Sequence, residues 1–419
     1  MPPFDDIAST VDALPRGTVT RRARVMLLLG SLEGGGAERV AVNLFNRCEP
    51  RAVDVRLGLL QRKGPYLNEV DAARVTALPV HRGQLLDWAR TPARLAGMIG
   101  QVRPDVLMTF GMGVDALTWP ALKMMGSTRP RWICRQDSNP DAEIANLTSS
   151  RWARSIVAAS TGRIHGAADG LVAVARDLAT RVDRQTETAS PRVQAIYNPI
   201  DIATIQSQAA EPLPAPMERP FIVSAGRLVR QKGYDVLIEA FANSAAATDM
   251  DLVILGQGPL EGALRAQAAA LGVADRVWFP GFQINPWAWF ARAHLFVLSS
   301  RWEGFGNVVA EALACGAPTL VTDCDYGPRE QVDHAVSGWI TRSEDPAAMT
   351  EALNALLSND NLRIAMGVRG RGRAEAFDIE VIARAYTRLF LQVAWRNAAA
   401  GALAARPAHT GESFRAAAS

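Results

Sequence analysis

Short runs of Val, Ile and Leu alternate along this chain with longer segments of helical periodicity, and this alternation constrains the fold more than any other feature. Such runs are typical of strands buried in a parallel sheet, and the helical segments supply the crossovers between them. The pattern therefore predicts an α/β fold with doubly wound sheets. The predicted strands are 24–29, 53–60, 106–110, 131–134, 171–175, 193–197, 221–225, 252–255, 277–279, 295–298 and 319–321.

A proline-rich stretch divides the alternation into two halves. Residues 211–220 contain four prolines, which fix φ and remove backbone donors, so this stretch is predicted to be a connector and not part of a sheet. A length of 419 residues also fits two domains, and we place their boundary near residue 200. The predicted organisation is a polar leader at 1–22, a first domain at 23–200, a second at 201–377, a helix at 378–396 and a disordered tail at 397–419.

Composition and charge exclude several classes of protein. No apolar run approaches the ~20 residues that span a bilayer, and the amino terminus lacks the layout of a signal peptide, so a cytoplasmic location is predicted. The net charge of +3 divides into +7 over residues 1–200 and −4 over 201–419, which argues against a nucleic-acid partner and leaves the first half suited to an anionic one. The four cysteines form no C-x-x-C pair, so neither disulfides nor a zinc site is predicted.

Three consecutive glycines, Gly34, Gly35 and Gly36, follow the first predicted strand and precede a helical segment. Glycines let backbone N–H groups approach an anion closely, and the following helix N-terminus favours negative charge. The sequence lacks the Gly-Lys-Ser/Thr ending of a P-loop. A phosphate-binding turn and an ordinary flexible turn both fit this motif.

Two cations leave the end of the first strand in the second half. Gly226 and Arg227 follow that strand directly, and Lys232 comes five residues later. A guanidinium and an ammonium group at this spacing can converge on one diphosphate. The chain has only three lysines against 42 arginines, so the presence of Lys232 favours a specific function over a solvated basic turn.

A third glycine turn, Gly256-Gln257-Gly258, also follows a strand. A dinucleotide-binding fingerprint would require a third glycine at position 261, where this chain has Glu261. We therefore interpret these residues as a tight turn that lines a cleft between the two predicted domains.

Two carboxylates flank the start of a predicted helix at 307–315. Glu303 lies in the loop Glu303-Gly304-Phe305-Gly306-Asn307, and Glu311 follows eight residues after it. The helix N-terminus would direct backbone donors at phosphates while the carboxylates accept hydrogen bonds from sugar hydroxyls. A capping carboxylate and a solvated one are the alternative interpretation.

Taken together, the motifs at 34–39, 224–233, 303–311 and 326–330 resemble those of the family 4 retaining glycosyltransferases, in the same order, over about residues 24–390. The resemblance implies a GT-B fold, in which two Rossmann-like domains face each other across a cleft. It further implies that the first domain binds the acceptor, the second binds a sugar nucleotide, and the last helix crosses back to the first domain.

The resemblance also implies roles for individual residues. Arg227 and Lys232 would neutralise the donor diphosphate, and Glu303 would hold the hydroxyls of the transferred sugar. These three are the candidate catalytic residues. The remaining donor-binding candidates are Gly35, Gly36, Gly226, Gly281, Phe282, Phe305, Gly306, Asn307, Val308 and Glu311, of which Glu311 would bind the ribose and Gly281 with Phe282 would border the base. No metal and no cofactor are implied.

The implied reaction moves a hexose or N-acetylhexosamine, with retention, to a hydroxyl of a glycan or polyprenyl-diphosphate-linked acceptor in cell-surface polysaccharide synthesis. A UDP-sugar is the preferred donor and GDP-mannose is an alternative. The remaining alternatives are a sugar-nucleotide epimerase or hydrolase and a non-catalytic subunit of a glycosylation complex. The first would not be expected to carry the paired glutamates, and the second would be expected to have lost one of the four charged residues.

The acceptor side departs from the family pattern. Many relatives carry a His or Arg where this chain has Asp137, two residues before Asn139, so Asp137 is predicted either to orient the acceptor or to cap the next helix. Basic and apolar residues also mix on two predicted helices of the first half, around Trp119 to Met125 and around Trp152 to Val157. These helices are either ordinary buried helices or a peripheral contact with a membrane that carries the acceptor.

Overall fold

The computed structural model describes residues 21–78, 85–147, 150–185, 193–214 and 217–395. The predicted leader, apart from its last two residues, and the predicted disordered tail lie outside the described residues. The strands of the first sheet are β1 (Ala23–Leu29), β2 (Val53–Leu59), β3 (Val75–Ala77), β4 (Val106–Phe110), β5 (Arg131–Gln136), β6 (Gly170–Ala173) and β7 (Val193–Ala195). Those of the second are β8 (Phe221–Ala225), β9 (Asp251–Leu255), β10 (Val277–Gly281), β11 (Leu295–Leu298), β12 (Thr319–Thr322) and β13 (Trp339–Thr341).

Both sheets are parallel and doubly wound. Their strand orders are β3-β2-β1-β4-β5-β6-β7 and β10-β9-β8-β11-β12-β13. The direction of winding reverses between β1 and β4 in the first sheet and between β8 and β11 in the second. Ligands of open α/β sheets bind at such switch points, beyond the carboxyl ends of the strands. The loops that follow these four strands are therefore the expected place for a site.

Helices cover the faces of the sheets. In the first unit they are α1 (Gly36–Arg47), α2 (Leu85–Val102), α3 (Met112–Met125), α4 (Pro140–Leu147), α5 (Arg151–Gly166) and α6 (Arg176–Gln185). The second unit contributes α7 (Ile202–Ala209), α8 (Tyr234–Ala242), α9 (Ala246–Asp249), α10 (Glu261–Ala270), α11 (Trp287–Phe290), α12 (Asn307–Cys315), α13 (Pro328–Gln331), α14 (Pro346–Leu357) and α15 (Asp360–Ala374). Because helices lie on both faces, every residue of β4, β8, β9 and β11 is buried.

The C-terminal helix returns to the first unit, as the family resemblance implies. Helix α16 (Ile379–Ala394) packs against α1 and against strands β1, β2 and β4. Its start is fixed by a bridge between Ile200 and Asp378, and the Asp378 side chain accepts a hydrogen bond from the Glu380 amide. The chain therefore crosses between the two units twice, near residue 200 and near residue 378. Among the described helices, none has both the length and the apolar character to cross a membrane.

Each of the eleven predicted strands is present, with ends displaced by up to two residues. Two strands were not predicted, β3 and β13, because each is three residues long and lies at a sheet edge, where the apolar run is short. The most consequential difference is β5, which continues through Arg135 and Gln136. Both polar side chains are buried, and the sequence prediction ended the strand at Cys134 because such residues are rare in buried strands.

Candidate active site

Lys232 and Glu303 meet where β8 and β11 lie side by side. The Lys232 Nζ atom lies 2.5 Å from Glu303 Oε1, and both side chains are largely buried. Ser300 donates its hydroxyl to the same carboxylate oxygen at 2.7 Å. The sequence motifs placed these two residues 71 positions apart in different loops, and the parallel pairing of their strands brings them together.

The turn that carries Lys232 is held tightly against the neighbouring strand end. Gly226 follows β8 with a φ of +154°, and a Cβ atom there would lie 3.0 Å from the Lys232 side chain. Ser299 donates its hydroxyl to the Lys232 carbonyl at 2.8 Å. The Lys232 side chain thus packs directly over the Gly226 backbone, and a larger residue at position 226 would displace it.

Arg227 lies at the same strand end and differs from Lys232 in its surroundings. Its side chain is exposed, and the described part of the chain offers it neither a hydrogen bond nor an ion pair. Lys232 is a cation that already has a buried counterion, whereas Arg227 is a free one. Together with Glu303 they leave a net positive charge at the end of β8, which suits an anionic ligand.

The third glycine turn packs onto the turn at 226–228. A Cβ atom at Gly256 would lie 1.9 Å from the Gly226 carbonyl oxygen, and one at Gly258 would lie 2.5 Å from that of Leu228. The Leu228 amide donates to the Gln257 carbonyl at 2.9 Å. These glycines are needed for close packing of two backbone turns.

The loop 303–307 leads directly into helix α12. Gly306 has a φ of +81°, a conformation that favours glycine, and the helix begins at Asn307 as predicted. The ring of Phe305 is fully buried against Tyr197 and Phe377, with ring centroids 5.7 and 5.4 Å away. Only the backbone of Phe305 can therefore face a ligand, whereas Val308 is partly buried at the first turn of the helix.

Glu311 lies about one turn into α12, after the helix begins at Asn307. Its Oε2 atom accepts a hydrogen bond from the Trp287 indole at 3.2 Å. Burial raises the pKa of Glu311 above its ordinary value, and the hydrogen bond from Trp287 opposes that rise. The neighbouring β10 end places Gly281, with a φ of +80°, and the exposed ring of Phe282 at the same edge of the second sheet.

The glycines of the first unit face this arrangement across the boundary between the units. A Cβ atom at Gly36 would lie 3.4 Å from the Asn307 amide nitrogen. Gly35 is the N-cap of α1 and lies beside the Glu38 carboxylate. The structure thus brings the candidate residues at 34–36, 226–232 and 303–307 to one place.

Asp137 and Asn139, the acceptor-side candidates, have separate tasks. Asn139 Oδ1 accepts hydrogen bonds from the amides of Asp141 and Ala142 at 3.0 and 3.2 Å, so Asn139 caps α4. The carboxylate of Asp137 pairs with the buried guanidinium of Arg135. Asp137 was predicted either to orient the acceptor or to cap the next helix. The cap is Asn139, so only the first of these two roles stays a prediction for Asp137.

A contact between the units was not predicted from the sequence. Glu330, in the short helix α13 that follows β12, accepts hydrogen bonds from the Arg176 and Asp177 amides at 2.9 Å each and from the Tyr197 hydroxyl at 3.0 Å. It caps α6 of the first unit from the second, where a helix N-terminus favours a carboxylate. Arg329 pairs with Asp177 beside it at 2.5 Å. The motif at 326–330 therefore joins the two units.

One group of metal-ligating side chain types lies elsewhere. Asp115, Cys134 and His165 are buried together in the first unit, with ligand atoms within 4.8 Å of one another. Burial raises the pKa of the Cys134 thiol well above its ordinary value, which disfavours the thiolate that a metal requires. Thr109 donates to Asp115 and accepts from the Trp132 indole, so the group forms part of a buried hydrogen-bonded network.

Comparisons with known proteins cover most of the chain. The family model described as Glycosyltransferase Family 4 matches residues 34–204, and the model described as Glycosyl transferases group 1 matches residues 206–373. A lipopolysaccharide core biosynthesis glycosyltransferase of Rhizobium meliloti, LpsE, is 28% identical over 356 residues, which are 85% of this chain and 95% of LpsE.

A second relative matches more closely over a shorter span. N-acetylgalactosamine-N,N'-diacetylbacillosaminyl-diphospho-undecaprenol 4-alpha-N-acetylgalactosaminyltransferase of Campylobacter jejuni is 35% identical over 201 residues, 48% of this chain. The match spans about half of that enzyme, 54% of its length.

Solved structures share the fold. HepE of Anabaena, in complex with UDP and glucose, superposes with a TM-score of 0.72 at 19% identity, covering 88% of this chain and 100% of HepE. The lipopolysaccharide outer core galactosyltransferase WaaB superposes with a TM-score of 0.68 at 18% identity, covering 88% of this chain and 99% of WaaB. At these identities the similarity establishes the GT-B fold.

Proposed function

The chain belongs to the family 4 glycosyltransferases, and on that basis we propose that it transfers a sugar from a nucleoside-diphosphate donor to an acceptor hydroxyl with retention of configuration and without a metal. The observation that supports this most strongly is the contact of Lys232 with Glu303 at the β8 and β11 ends, beside the free Arg227. A cationic site next to a carboxylate suits a ligand that joins a diphosphate to a polyhydroxylated ring.

Each candidate residue has a role in the proposed donor complex. Arg227 and Lys232 neutralise the diphosphate, and Glu303 accepts hydrogen bonds from the sugar hydroxyls. Backbone amides at the start of α12, together with the glycines of the first unit, donate to the phosphates. Glu311 accepts from the ribose, and the β10 end borders the base.

The proposed reaction breaks the bond between the anomeric carbon and the diphosphate oxygen. Positive charge develops on the sugar ring as negative charge develops on the leaving diphosphate. The acceptor hydroxyl attacks from the same face, forms the new bond to the anomeric carbon and gives its proton to a departing phosphate oxygen. Preorganised cations stabilise the leaving group in the role that Mg²⁺ fills in other transferases, so Lys232 and Arg227 would carry the main catalytic effect.

The relatives favour particular substrates. The Campylobacter enzyme acts, by its name, on a diphospho-undecaprenol acceptor and forms an alpha linkage, and HepE binds UDP with glucose. We therefore propose a UDP-sugar as donor and a polyprenyl-diphosphate-linked glycan as acceptor, in polysaccharide assembly on the cytoplasmic face of the membrane.

A thermal-shift screen of the purified protein against UDP-, GDP- and ADP-sugars tests the donor. A ligand that binds only the native state raises the melting temperature by mass action, so we expect a shift with one nucleotide class. The products are then analysed with and without a lipid-linked acceptor. A screen with no shift would contradict the proposal, and release of free sugar at the same rate in both conditions would favour the hydrolase.

The proposed membrane contact predicts binding to anionic vesicles. Helices α3 and α5 are neighbours in the first unit, and on them Trp152 is 77%, Met124 63% and Ile156 45% exposed, with Arg151 and Lys123 beside them. Apolar residues mixed with cations are typical of interfacial helices. We expect the protein to float with phosphatidylglycerol vesicles at low salt, and Trp152→Ser with Ile156→Ser to abolish flotation.

The matched control for this test lies in the second unit. Ile364 and Val368 on α15 are 65% and 67% exposed, so replacing both by serine removes a similar apolar surface far from the proposed contact. Flotation should survive this change. Equal flotation of both double variants would place the membrane contact elsewhere.

Nucleotide affinity is expected to depend on pH through Glu311. The ionised carboxylate accepts hydrogen bonds from ribose hydroxyls more strongly than the neutral acid, and burial raises the pKa of Glu311 in the free protein. Nucleotide affinity should therefore fall as pH decreases through that raised pKa, which lies above the ordinary glutamate value of 4.5. The Kd of the nucleotide is measured by isothermal titration calorimetry at several pH values for wild type and for Glu311→Gln. The ratio of the two Kd values cancels the ionisation of the nucleotide itself. A ratio independent of pH would remove Glu311 from the ribose site.

A further inference from the structure

A line of polar side chains, two buried and one partly buried, joins the two units beside the loop 303–307. It runs from Arg135, at the end of β5, through Asn198, which follows β7, to Asn307, the first residue of α12. Asn198 donates its amide N–H to Asn307 Oδ1 at 2.7 Å. We call these three residues the amide relay. It connects the core of the first unit to the helix N-terminus of the candidate donor site.

The guanidinium of Arg135 sets the direction of the relay. Arg135 is fully buried, and arginine carries five N–H donors and no acceptor. One arm pairs with the Asp137 carboxylate, Nε donates to the Tyr386 hydroxyl of α16 at 2.8 Å, and the remaining arm donates to Asn198 Oδ1. The oxygen of the Asn198 amide must therefore face Arg135.

This constraint passes to Asn307. With its oxygen turned to Arg135, Asn198 can offer only its N–H₂ group to the next residue, so Asn307 must present its oxygen to Asn198. The Asn307 N–H₂ group then faces the other way, toward Gly36, where a Cβ atom would lie 3.4 Å from its nitrogen. A buried arginine thus determines which end of an amide at the unit boundary faces the cleft.

We propose that Arg135 and Asn198 are positioning residues that hold Asn307 with its side-chain N–H₂ turned toward the donor diphosphate. This inference rests on the proposed function, because it requires an anion between Gly36 and α12. It adds a side-chain donor to the backbone amides of the helix N-terminus. It also gives a reason for the buried ion pair of Arg135 with Asp137 and for the contact with Tyr386, which together fix the guanidinium.

The relay predicts that reversing the polarity of Asn198 is worse than removing its side chain. Asn198→Asp keeps the shape and still accepts from Arg135, but it has no N–H to offer. Asn307 must then turn its N–H₂ group to the carboxylate introduced at position 198 and its carbonyl oxygen to the phosphates. The phosphates then lose the Asn307 N–H₂ donor and face its carbonyl oxygen, which should weaken nucleotide binding by ~10- to 100-fold. Asn198→Ala leaves Asn307 free to choose its orientation, so the loss should stay within about threefold.

A double-variant cycle separates the relay from simple structural damage. The Kd of UDP, or of GDP if the wild type binds only that nucleotide, is measured by calorimetry for wild type, Asn198→Asp, Asn307→Ala and the double variant, with melting temperatures for each. If Asn198 acts through Asn307, adding Asn198→Asp to the Asn307→Ala protein should alter the Kd by less than about twofold. A direct effect of the new negative charge, or of altered folding, would persist there.

Three outcomes decide the matter. A large loss in Asn198→Asp that disappears in the Asn307→Ala background supports the relay. An equal Kd in wild type and Asn198→Asp, or a greater loss in Asn198→Ala than in Asn198→Asp, overturns it while leaving the proposed function in place. Absence of nucleotide binding by the wild type overturns both.

Discussion

Lys232→Met is expected to lower kcat/KM by at least ~10²-fold, the scale of losing one preorganised charge donor in an active site. The methionine matches the length of the four-carbon stem of lysine and removes the ammonium group that contacts Glu303 at 2.5 Å. The buried Glu303 carboxylate then faces the diphosphate without its counterion, so repulsion adds to the lost attraction. Steady-state kinetics with the donor identified by the screen measure the effect.

Stability should fall in the same variant, which requires a control. Removing one partner of a buried ion pair costs ~3–5 kcal/mol because the other charge stays buried and unpaired. The double variant Lys232→Met, Glu303→Gln has no charge at this position, and we expect it to regain most of the stability and none of the activity. Recovery of kcat/KM in the double variant would show that the loss in Lys232→Met came from folding.

Arg227 offers the cleaner comparison because no described residue pairs with it. Arg227→Ala should leave the free energy of unfolding within ~0.5 kcal/mol of wild type, as surface substitutions usually do. Its kcat/KM should nevertheless fall by at least ~10²-fold if the guanidinium neutralises the leaving diphosphate. Near-normal turnover in the folded variant would remove Arg227 from the mechanism.

The sequence was most informative where a residue type is needed for its own local geometry. Buried parallel strands require apolar runs, and each predicted strand is present. The predicted start of α12, directly after the glycine-containing loop 303–306, is also correct, and Gly306 has a positive φ there. Glycine turns after strands also identified the loops at both switch points. These signals are local, and a single sequence contains them in full.

The missing parts of the site depend on contacts between distant residues. Arg135 and Asn198 are 63 positions apart, and Asn198 and Asn307 are 109 apart, so no local pattern shows that the three residues are hydrogen-bonded to one another. The same holds for Glu330, which caps a helix of the other unit. The available signal was the position of Arg135 and Gln136 directly after the predicted strand 131–134, where site residues of α/β sheets collect.

The resemblance supplied separate ligands for Lys232 and Glu303, a diphosphate and a sugar, and the structure places the two side chains in contact. The difference follows from desolvation, since an unpaired carboxylate and an unpaired ammonium would both be costly at this depth. A donor entering the site would therefore exchange one ion pair for interactions of both partners with the ligand. In the proposed reaction the pair would hold both side chains in place until the donor arrives, as preorganised catalysis requires.

Gly304→Ala is expected to damage activity more severely than its size suggests. A Cβ atom at this position would lie 1.9 Å from the Asp137 carbonyl oxygen and 2.9 Å from the Ser138 Cα. Both are backbone atoms of the other unit, so no rotamer change can relieve the clash. The loop 303–307 must therefore move away from the loop that carries Asp137. A shift of ~1 Å between catalytic loops costs ~10²-fold in rate.

The variant leaves the proposed nucleotide-binding residues of the second unit unchanged, so kcat should fall more than nucleotide affinity. Overpacking at one buried site should lower the free energy of unfolding by ~1–3 kcal/mol. Gly262→Ala on α10 is the matched control, because a Cβ atom there meets nothing within 4 Å. Replacing a helical glycine by alanine should stabilise the protein by ~0.5–1 kcal/mol with unchanged kcat/KM. If Gly304→Ala also kept its kcat, the close approach of these two loops would not belong to the catalytic state.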